Sequence, residues 1–458
     1  MIRTALAVLL LAAASHAAAP PAKRPRTSPA AQKRMDKNAA TPSPAVDSDG
    51  PETIPGRDFP ESVQKAPDKN DTPFILRWMI KPLRRGMWIR LPIMDTDPNR
   101  GITIGVMPIW VLQGEKDDRI EQIHAPSLTY NKNFVVVPTY RYYWYPQDDA
   151  SLIARASMGK YENEILAQYE DGSLLGSDFD VFGRVQNNVD AGQRFFGFGP
   201  AAPRSGESNY KEMFFQYRAG VGHPLRPGSK WRARASTHFQ ASKFGNGPIP
   251  NLQSFESTYP GQFSGTRQQT TEWRANLDYD SRDHGVTTSK GEYLQLFGES
   301  SVRGLMSMYD YNRWGADGRV YIPWKSEPSR VFAIQTRFEQ MTGGAAPFWL
   351  QPRLGGKYSL RSYGDGRFID RGLAFVNVEQ RFNLFEAKMA GVTTEFQLAP
   401  FAGAGTVFAE PGMAQAKYVR PVFGVGTRAV AKPQVVGSID FGVGQEGLAV
   451  FMDINYSF

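Results

Sequence analysis

The sequence contains no cysteine in its 458 residues, and this absence excludes disulfide scaffolds, thiolate metal sites, thiol nucleophiles and iron–sulfur clusters. Long apolar runs are also missing. Past the N-terminus, nothing approaches the roughly 18–20 apolar residues that a membrane-spanning helix requires, so a helical membrane protein is excluded. What remains is a large soluble β or α/β protein, or a transmembrane β-barrel, whose alternating strands average out in a hydropathy scan.

Concentrated charge and catalytic motifs are missing as well. The net charge of +8 is spread along the chain, whereas a nucleic-acid interface needs a basic patch, so no nucleic-acid partner is predicted. The five histidines stand in no metal-ligand spacing, and no nucleophile elbow or phosphate-binding loop is present. We predict no enzyme, catalytic residue, metal or cofactor. A site built from distant residues stays open, because His238 shares one strand face with Ser236 and Ser242.

The N-terminal part of the chain predicts export. Residues 1–19 resemble a secretory signal peptide, with an apolar stretch over Ala5–Ala14 and small residues that suit cleavage after Ala17. Residues 20–72 are rich in proline and poor in aromatic residues, so they bury too little apolar surface to fold. We predict a disordered periplasmic linker over 20–72 and a barrel over 73–458.

From Trp78 onward, the hydrophobic pattern has a period of two, which indicates β-strands. In the last segment, one face carries Leu448, Val450, Met452, Ile454, Tyr456 and Phe458. The segments run to about ten residues, the length of a tilted membrane-crossing strand, whereas globular strands average about five or six. Aromatic residues cluster at segment ends, and the second face is charged rather than apolar. These features favour an all-β transmembrane antiparallel barrel over a soluble sandwich.

Seventeen segments fit the strand pattern. They are residues 101–112, 120–131, 134–145, 151–160, 162–171, 178–190, 209–222, 229–242, 270–281, 291–303, 306–322, 329–341, 372–385, 393–408, 417–431, 434–444 and 447–458. Because bacterial single-chain barrels have an even number of strands, we predict sixteen and place the error in 101–112 or in the pair within 151–171.

Three stretches carry a family resemblance. They are LGGKYSLRSYGDGRF at Leu354–Phe368, YDSRDHGVTTSKGEY at Tyr279–Tyr293 and RFFGFGP at Arg194–Pro200. Together and in this chain order, they resemble the BamA/TamA superfamily of outer-membrane barrels, also called the bacterial surface antigen family. The first stretch is similar to the family's sixth extracellular loop. The resemblance covers roughly residues 100–458.

The resemblance implies that this loop folds back into the lumen. Its motif residues here are Gly355, Gly356, Leu360, Ser362 and Tyr363. In the family, the motif arginine pairs with acidic groups of the inner wall, which implies a lock between Arg361 and Glu379. A charge swap of these two residues is then expected to restore part of the pairing.

The chain departs from the family pattern in three places. Ser362 replaces the glycine that follows the motif arginine, and Gly403 stands where many relatives carry a second wall carboxylate. The family's periplasmic POTRA domains have no counterpart in the sequence. Because those domains collect substrate in relatives, their absence leaves the protein-assembly role open.

The resemblance and the barrel pattern lead to one leading functional hypothesis. We predict a barrel-only member of the family in the outer membrane, acting in insertion or translocation of an unidentified polypeptide or lipid. The expected partners are outer-membrane lipid and lipopolysaccharide, the assembly machinery during biogenesis, and an unidentified periplasmic protein. Tyr456 and Phe458, at the end of an outward row, are predicted to form an assembly signal. The alternatives are a passive diffusion pore and, third, a membrane-embedded hydrolase or acyltransferase.

Overall fold

The computed structural model describes residues 79–458 apart from 115–119, 148, 263–264, 286, 326, 328–329, 345, 390–391, 432–434 and 454–455. The predicted signal peptide and the linker at 20–72 lie outside these residues. Within the described ranges, helical structure is limited to short turns, and none of these helices is long and apolar enough to cross a membrane. They are α1 (Phe255–Thr258) and the 3-10 turns Leu174–Gly176, Arg204–Gly206, Phe348–Leu350, Pro411–Met413 and Ala416–Tyr418.

Antiparallel strands make up most of the described chain. They are β1 (Ile80–Leu83), β2 (Gly86–Asp95), β3 (Thr103–Gln113), β4 (Ile120–His124), β5 (Ser127–Asn131), β6 (Val135–Gln147), β7 (Ala150–Met158), β8 (Glu162–Asp171), β9 (Asp180–Phe195), β10 (Ser208–Pro224), β11 (Trp231–Asn246), β12 (Gln253–Ser254), β13 (Gln268–Asp280), β14 (Gly291–Ser301), β15 (Tyr311–Pro323), β16 (Val331–Gly343), β17 (Arg353–Leu354), β18 (Phe368–Ile369), β19 (Gly372–Met389), β20 (Val392–Phe408), β21 (Arg420–Ala431), β22 (Val435–Gly444) and β23 (Gly447–Asp453).

The two faces of these strands show the inverted polarity of a membrane barrel. In β15, the charged side chains of Asp317 and Arg319 are buried, whereas Trp314 and Ile322 are exposed on the other face. Apolar side chains face outward because lipid surrounds the barrel, and charged side chains face the lumen. The predicted all-β transmembrane barrel is confirmed.

The number of strands around the barrel differs from the prediction of sixteen. The main sheet contains 21 strands. Because β1 and β12 are short additions and β4 and β5 share one position between β3 and β6, eighteen positions run around the sheet within the described residues. All seventeen segments predicted from the sequence are strands, and the one missed is β2. Both faces of β2 are largely apolar, so it gives no alternating signal.

The barrel closes between β2 and β23 through a short seam. The Thr96 amide donates to the Val450 carbonyl oxygen at 2.9 Å, and the Val450 amide donates to Thr96 Oγ1 at 2.8 Å. Nearer the start of β2, its edge pairs instead with β1, where Ile80 lies opposite Ile89. Two different strands therefore share one edge of β2.

Long connections gather at one end of the barrel, which we call the loop end, and short turns at the other, the turn end. At the loop end, side chains from several connections form one aromatic cluster. Its buried members are Phe195, Tyr210, Phe244, Phe255, Tyr311, Met341, Phe348, Trp349, Leu350 and Ile369. This cluster therefore packs strand ends and long connections together at the loop end.

Deletion of residues 20–72 is expected to leave barrel folding intact, since this segment offers no apolar face for packing. The measurement is the gel migration of the purified protein before and after heating, which separates folded from unfolded barrels. The matched control is the full chain expressed with the same export signal. Loss of the folded band in the deletion variant would show that the segment is structural.

Candidate functional site: a loop docked in the lumen

The chain between β17 and β18 folds back into the barrel, and we call residues 354–368 the lumen loop. Its first turn depends on Gly355 and Gly356, which have φ angles of 129° and 79°, a region that favours glycine. A Cβ atom at Gly355 would lie 2.1 Å from the Gly364 oxygen. Leu360 and Tyr363 are buried in a cluster with the wall residues of β19 to β21. Apolar packing therefore holds the loop against the inner wall.

Arg361, at the centre of the loop, is fully buried. Its Nη1 atom donates to Glu379 Oε2 at 2.8 Å and to Asp440 Oδ2 at 3.1 Å. The guanidinium carbon lies 3.5 Å from the centre of the Phe401 ring, close enough for a cation–π contact. The structure thus contains the contact between Arg361 and Glu379; its role as a lock is a proposal.

Two further arginines share the same carboxylates. Arg428 donates to Glu379 Oε2 at 3.2 Å and to Asp440 Oδ1 at 2.5 Å. Arg381 donates to Glu379 Oε1 at 3.0 Å. Three guanidinium groups therefore surround two carboxylates. Since removing one partner of a buried ion pair leaves the other uncompensated, this cluster tolerates loss of a carboxylate less well than loss of an arginine.

Asp440 is the partner that the sequence analysis missed. At Gly403, a Cβ atom would lie 2.2 Å from Asn377 Oδ1, so an acidic side chain there would require Asn377 to move. The second carboxylate comes from β22 instead. The signal was present in the sequence, because the alternation of β22 puts Asp440 on the face opposite Ile439 and Phe441.

Serine can replace the family's glycine at position 362 because the backbone there does not adopt a positive φ. The turn is built from backbone bonds, in which the amides of Ser362 and Tyr363 both donate to the Leu360 oxygen, at 2.7 and 3.0 Å. The loop approaches β22 closely: a Cβ atom at Gly442 would lie 1.7 Å from the Arg361 oxygen. The absence of side chains at Gly442 and Gly444 makes room for the loop.

The other two motifs also reach this site. In the Arg194–Pro200 stretch, the Gly199 amide donates to the Ile369 oxygen at 2.8 Å, and Phe196 stacks 4.2 Å from the guanidinium carbon of Arg367. In the Tyr279–Tyr293 stretch, Thr288 accepts a hydrogen bond from Arg381 at 3.4 Å. Motifs far apart in the sequence therefore converge around the docked loop.

Tyr456 and Phe458 lie in the lumen, so their predicted placement on the outer face is wrong. Tyr456 donates to Gln397 Oε1 at 2.9 Å, and Arg381 donates to the Phe458 oxygen at 3.1 Å. The phenyl ring of Phe458 packs against Tyr321 and Val331. β23 ends at Asp453, and a row of alternating residues cannot reveal where a strand ends. Their role as an assembly signal stays a prediction.

Phe458→Ala is expected to lower the free energy of unfolding by about 3–5 kcal/mol, the usual cost of emptying a buried aromatic site. The measurement is the temperature at which the heat-modifiable band disappears. Phe423→Ala is the control, since Phe423 is 62% exposed on the outer face and lipid can fill the space. Equal behaviour of the two variants would contradict burial of Phe458 in the lumen.

Both ring nitrogens of His238 contact partners other than the serines considered in the sequence, Ser236 and Ser242. His238 Nδ1 lies 2.7 Å from Glu272 Oε2, and Nε2 lies 2.9 Å from Gln216 Oε1. Ser242 donates to Glu212 at 2.9 Å instead. Within the described ranges, no group of three or more His, Asp or Glu residues is placed to hold a metal ion. This arrangement gives the hydrolase alternative no support.

One comparison with known families agrees with the family suggested by the motifs. Residues 150–443 match the Omp85 superfamily domain. BamA from Haemophilus ducreyi lacking POTRA domains 1–3 is similar at a TM-score of 0.49 and 14% identity, over 79% of this chain and 73% of that one. CdiB from Acinetobacter baumannii gives a TM-score of 0.45 and 13% identity, over 82% of this chain and 60% of its own. CdiB from Escherichia coli gives 0.48 and 10%, over 76% of this chain and 65% of its own. No curated protein matches.

Proposed function

Because this chain belongs to the Omp85 superfamily of outer-membrane barrels, as the BamA/TamA resemblance predicted, we propose that it inserts or translocates a polypeptide or lipid in the outer membrane. The lumen loop is the regulatory element: it holds the barrel closed until substrate displaces it. Outer-membrane lipid, lipopolysaccharide and the assembly machinery are the proposed partners, and the 20–72 segment is the proposed contact for a periplasmic protein.

The burial of Arg361 carries this proposal. A guanidinium group taken out of water needs carboxylate partners, and the wall supplies two of them, Glu379 and Asp440. The arrangement belongs to the docked position, because Arg361 lies on the loop whereas Glu379 and Asp440 lie on the wall strands β19 and β22. A docked state and an undocked state therefore differ in energy, which is what a switch requires.

The docked lumen loop argues against the alternative function of a passive diffusion pore. Porin lumens are water-filled channels, whereas here the lumen loop packs Leu360 and Tyr363 on one wall of the lumen. We expect small, flickering single-channel currents from the purified chain in planar bilayers. A steady open current would favour the diffusion pore instead.

A reversible cross-link tests whether the loop must move. A Cβ atom at Gly444 would lie 3.2 Å from Ser362 Cβ, just short of the roughly 3.5–4.5 Å of a disulfide. The chain has no other cysteine, so Ser362→Cys with Gly444→Cys can form one bond only. Oxidised cells are expected to show the altered outer-membrane protein and lipid composition of a deletion strain, and a reductant should restore it.

The two single-cysteine variants serve as controls, since neither can form the cross-link. Neither should respond to the reductant, and this holds even if the side chain added at Gly444, whose Cβ atom would lie 2.2 Å from Ser362 Oγ, disturbs the docked loop. If the oxidised double variant retains the wild-type outer-membrane composition, the loop does not move during function and the proposal fails. A deletion strain that differs only in small-solute uptake would point to the pore.

A further inference from the structure

The inner wall of the first barrel strands carries apolar side chains toward the turn end. One row of side chains crosses five strands in register toward the turn end, each residue opposite the next. Its members are Met87, Val111, Ile123, Tyr143 and Ile153. Beside it lie the inward-facing pairs Ile89 with Ile109 and Leu91 with Met107. Apolar side chains that faced only water would be unfavourable, because contact of apolar surface with water costs free energy.

The opposite wall of the same lumen is charged. On β13 to β16, the inward positions carry arginine and glutamate side chains that pair with one another, among them Arg313 with Glu299 at 3.4 Å and Arg337 with Glu339 at 3.0 Å. The two walls enclose a cavity of about 830 Å³ that both of them line. This volume is in the range of small-molecule sites, about 300–1,000 Å³. The cavity therefore has one apolar side and one charged side.

Arg141 stands at the border of the apolar wall. Its Nη1 atom donates to Ser127 Oγ at 2.9 Å and lies 4.0 Å from Met107 Sδ. Within the described part of the chain it takes part in no ion pair, and the nearby Glu164 is bound to Arg155 at 2.5 Å. A half-buried guanidinium beside apolar side chains is suited to a phosphate group, with which it forms charge-assisted hydrogen bonds.

The apolar wall also lies beside the seam. β23 meets β2 near Thr96, whereas the part of β2 that carries Met87 and Ile89 pairs with β1, a strand of four residues. So short a pairing has few hydrogen bonds to break. Displacement of β1 would connect the apolar wall with the bilayer without crossing the charged side of the lumen.

We propose that this cavity binds one anionic phospholipid, with its acyl chains on the apolar row and its phosphate at Arg141. The inference rests on the proposed function and narrows its substrate from polypeptide or lipid to lipid. Acyl chains match the wall because burial of apolar surface on both partners is favourable. The phosphate of the head group would pair with the Arg141 guanidinium. This pairing explains why a cation lies next to an apolar wall.

Site-specific photo-cross-linking tests the proposal. A benzophenone amino acid is placed at Ile109 on the apolar inner wall, at Gln240 on the inner face of β11, next to the charged wall, or at Val106 on the outer face. The full chain is reconstituted in vesicles of phosphatidylethanolamine and phosphatidylglycerol and irradiated. The masses of the protein and its lipid adducts are then measured by mass spectrometry. We expect lipid adducts at Ile109 and Val106 and at least tenfold fewer at Gln240. At Ile109, phosphatidylglycerol should be enriched over its share in the vesicles; at Val106 it should match that share.

Arg141→Gln separates the head group from the chains. Loss of a charge-assisted hydrogen bond is expected to reduce the phosphatidylglycerol adduct at Ile109 about tenfold, with no change at Val106. Excess inorganic phosphate should not displace the adduct. Displacement by phosphate, an Ile109 yield equal to that at Gln240, or replacement of lipid by an added unfolded outer-membrane polypeptide would each overturn the proposal. The assay reads binding rather than loop movement, so its failure is distinct from failure of the cysteine cross-link test.

Discussion

Arg361→Ala is expected to release the lumen loop while the barrel stays folded. The ladder of strand hydrogen bonds does not involve this side chain, so insertion and heat-modifiable migration should be normal. The freed loop should give larger and noisier single-channel currents and new protease cleavage within residues 354–368. Both measurements can be made on the same purified protein.

The size of the effect follows from the remaining ion pairs. Removal of one partner of a fully buried pair costs about 3–5 kcal/mol. Here the two carboxylates retain other partners: Glu379 keeps Arg381 and Arg428, and Asp440 keeps Arg428. We therefore expect less than about 3 kcal/mol in the free energy of unfolding, with most of the loss falling on loop docking.

Arg303→Ala provides the matched control, because Arg303 pairs with Asp310 in an exposed loop where both side chains are more than half exposed. Such pairs contribute little, so this variant should conduct as wild type does. If Arg361→Ala also conducts and resists protease as wild type does, the loop is held by its apolar contacts alone and Arg361 is no lock.

The structure argues against the rescue that was expected from a charge swap of Arg361 and Glu379. An arginine at position 379 would lie between Arg381 and Arg428, which now bind the Glu379 carboxylate. Like charges at this distance repel. The combination of Arg361→Glu and Glu379→Arg is therefore expected to be worse than Arg361→Ala alone.

Gly442→Leu should expel the loop without altering any charge. A Cβ atom at this position would lie 1.7 Å from the Arg361 oxygen, and a backbone atom cannot move aside as the end of a side chain can. The leucine and the docked loop cannot coexist. We expect the same conductance and protease sensitivity as for Arg361→Ala, at least as strong, because Leu360 and Tyr363 lose their contacts as well.

Gly437→Leu is the control on the same strand. A Cβ atom there would have nothing within 4 Å, and the position lies on the outward row of β22. This variant should retain the closed lumen. A closed lumen in Gly442→Leu would mean that the loop docks elsewhere than the structure places it.

Much of the barrel could be predicted because polarity alternates along most strands. The prediction missed β2, where Ile89, Leu91 and Ile93 face inward and are as apolar as the outward row. The apolar inner wall thus removed the signal that would have revealed its strand. The strand pattern assumes that inward-facing side chains are polar. It therefore overlooks a strand whose function depends on apolar side chains on the inner face.

The site was predicted in part. The motif identified Arg361, and the alternation of β19 put Glu379 on the inner wall. Asp440 lies 79 positions from Arg361 in the sequence, and pairing over that distance depends on where the loop descends. The position of Phe458 in the lumen was not predicted for a related reason. An alternating row shows which residues share a face but not where the strand ends.

The seam has a mechanical consequence. Every other neighbouring pair of barrel strands is joined by a ladder of backbone bonds, whereas β2 and β23 share the one backbone bond from Thr96 to Val450 within the described residues. Under tension applied around the circumference, load concentrates on this bond. The wall would therefore part along one line, at low force, and the molecule would open as a hinged sheet rather than rupture at a random strand.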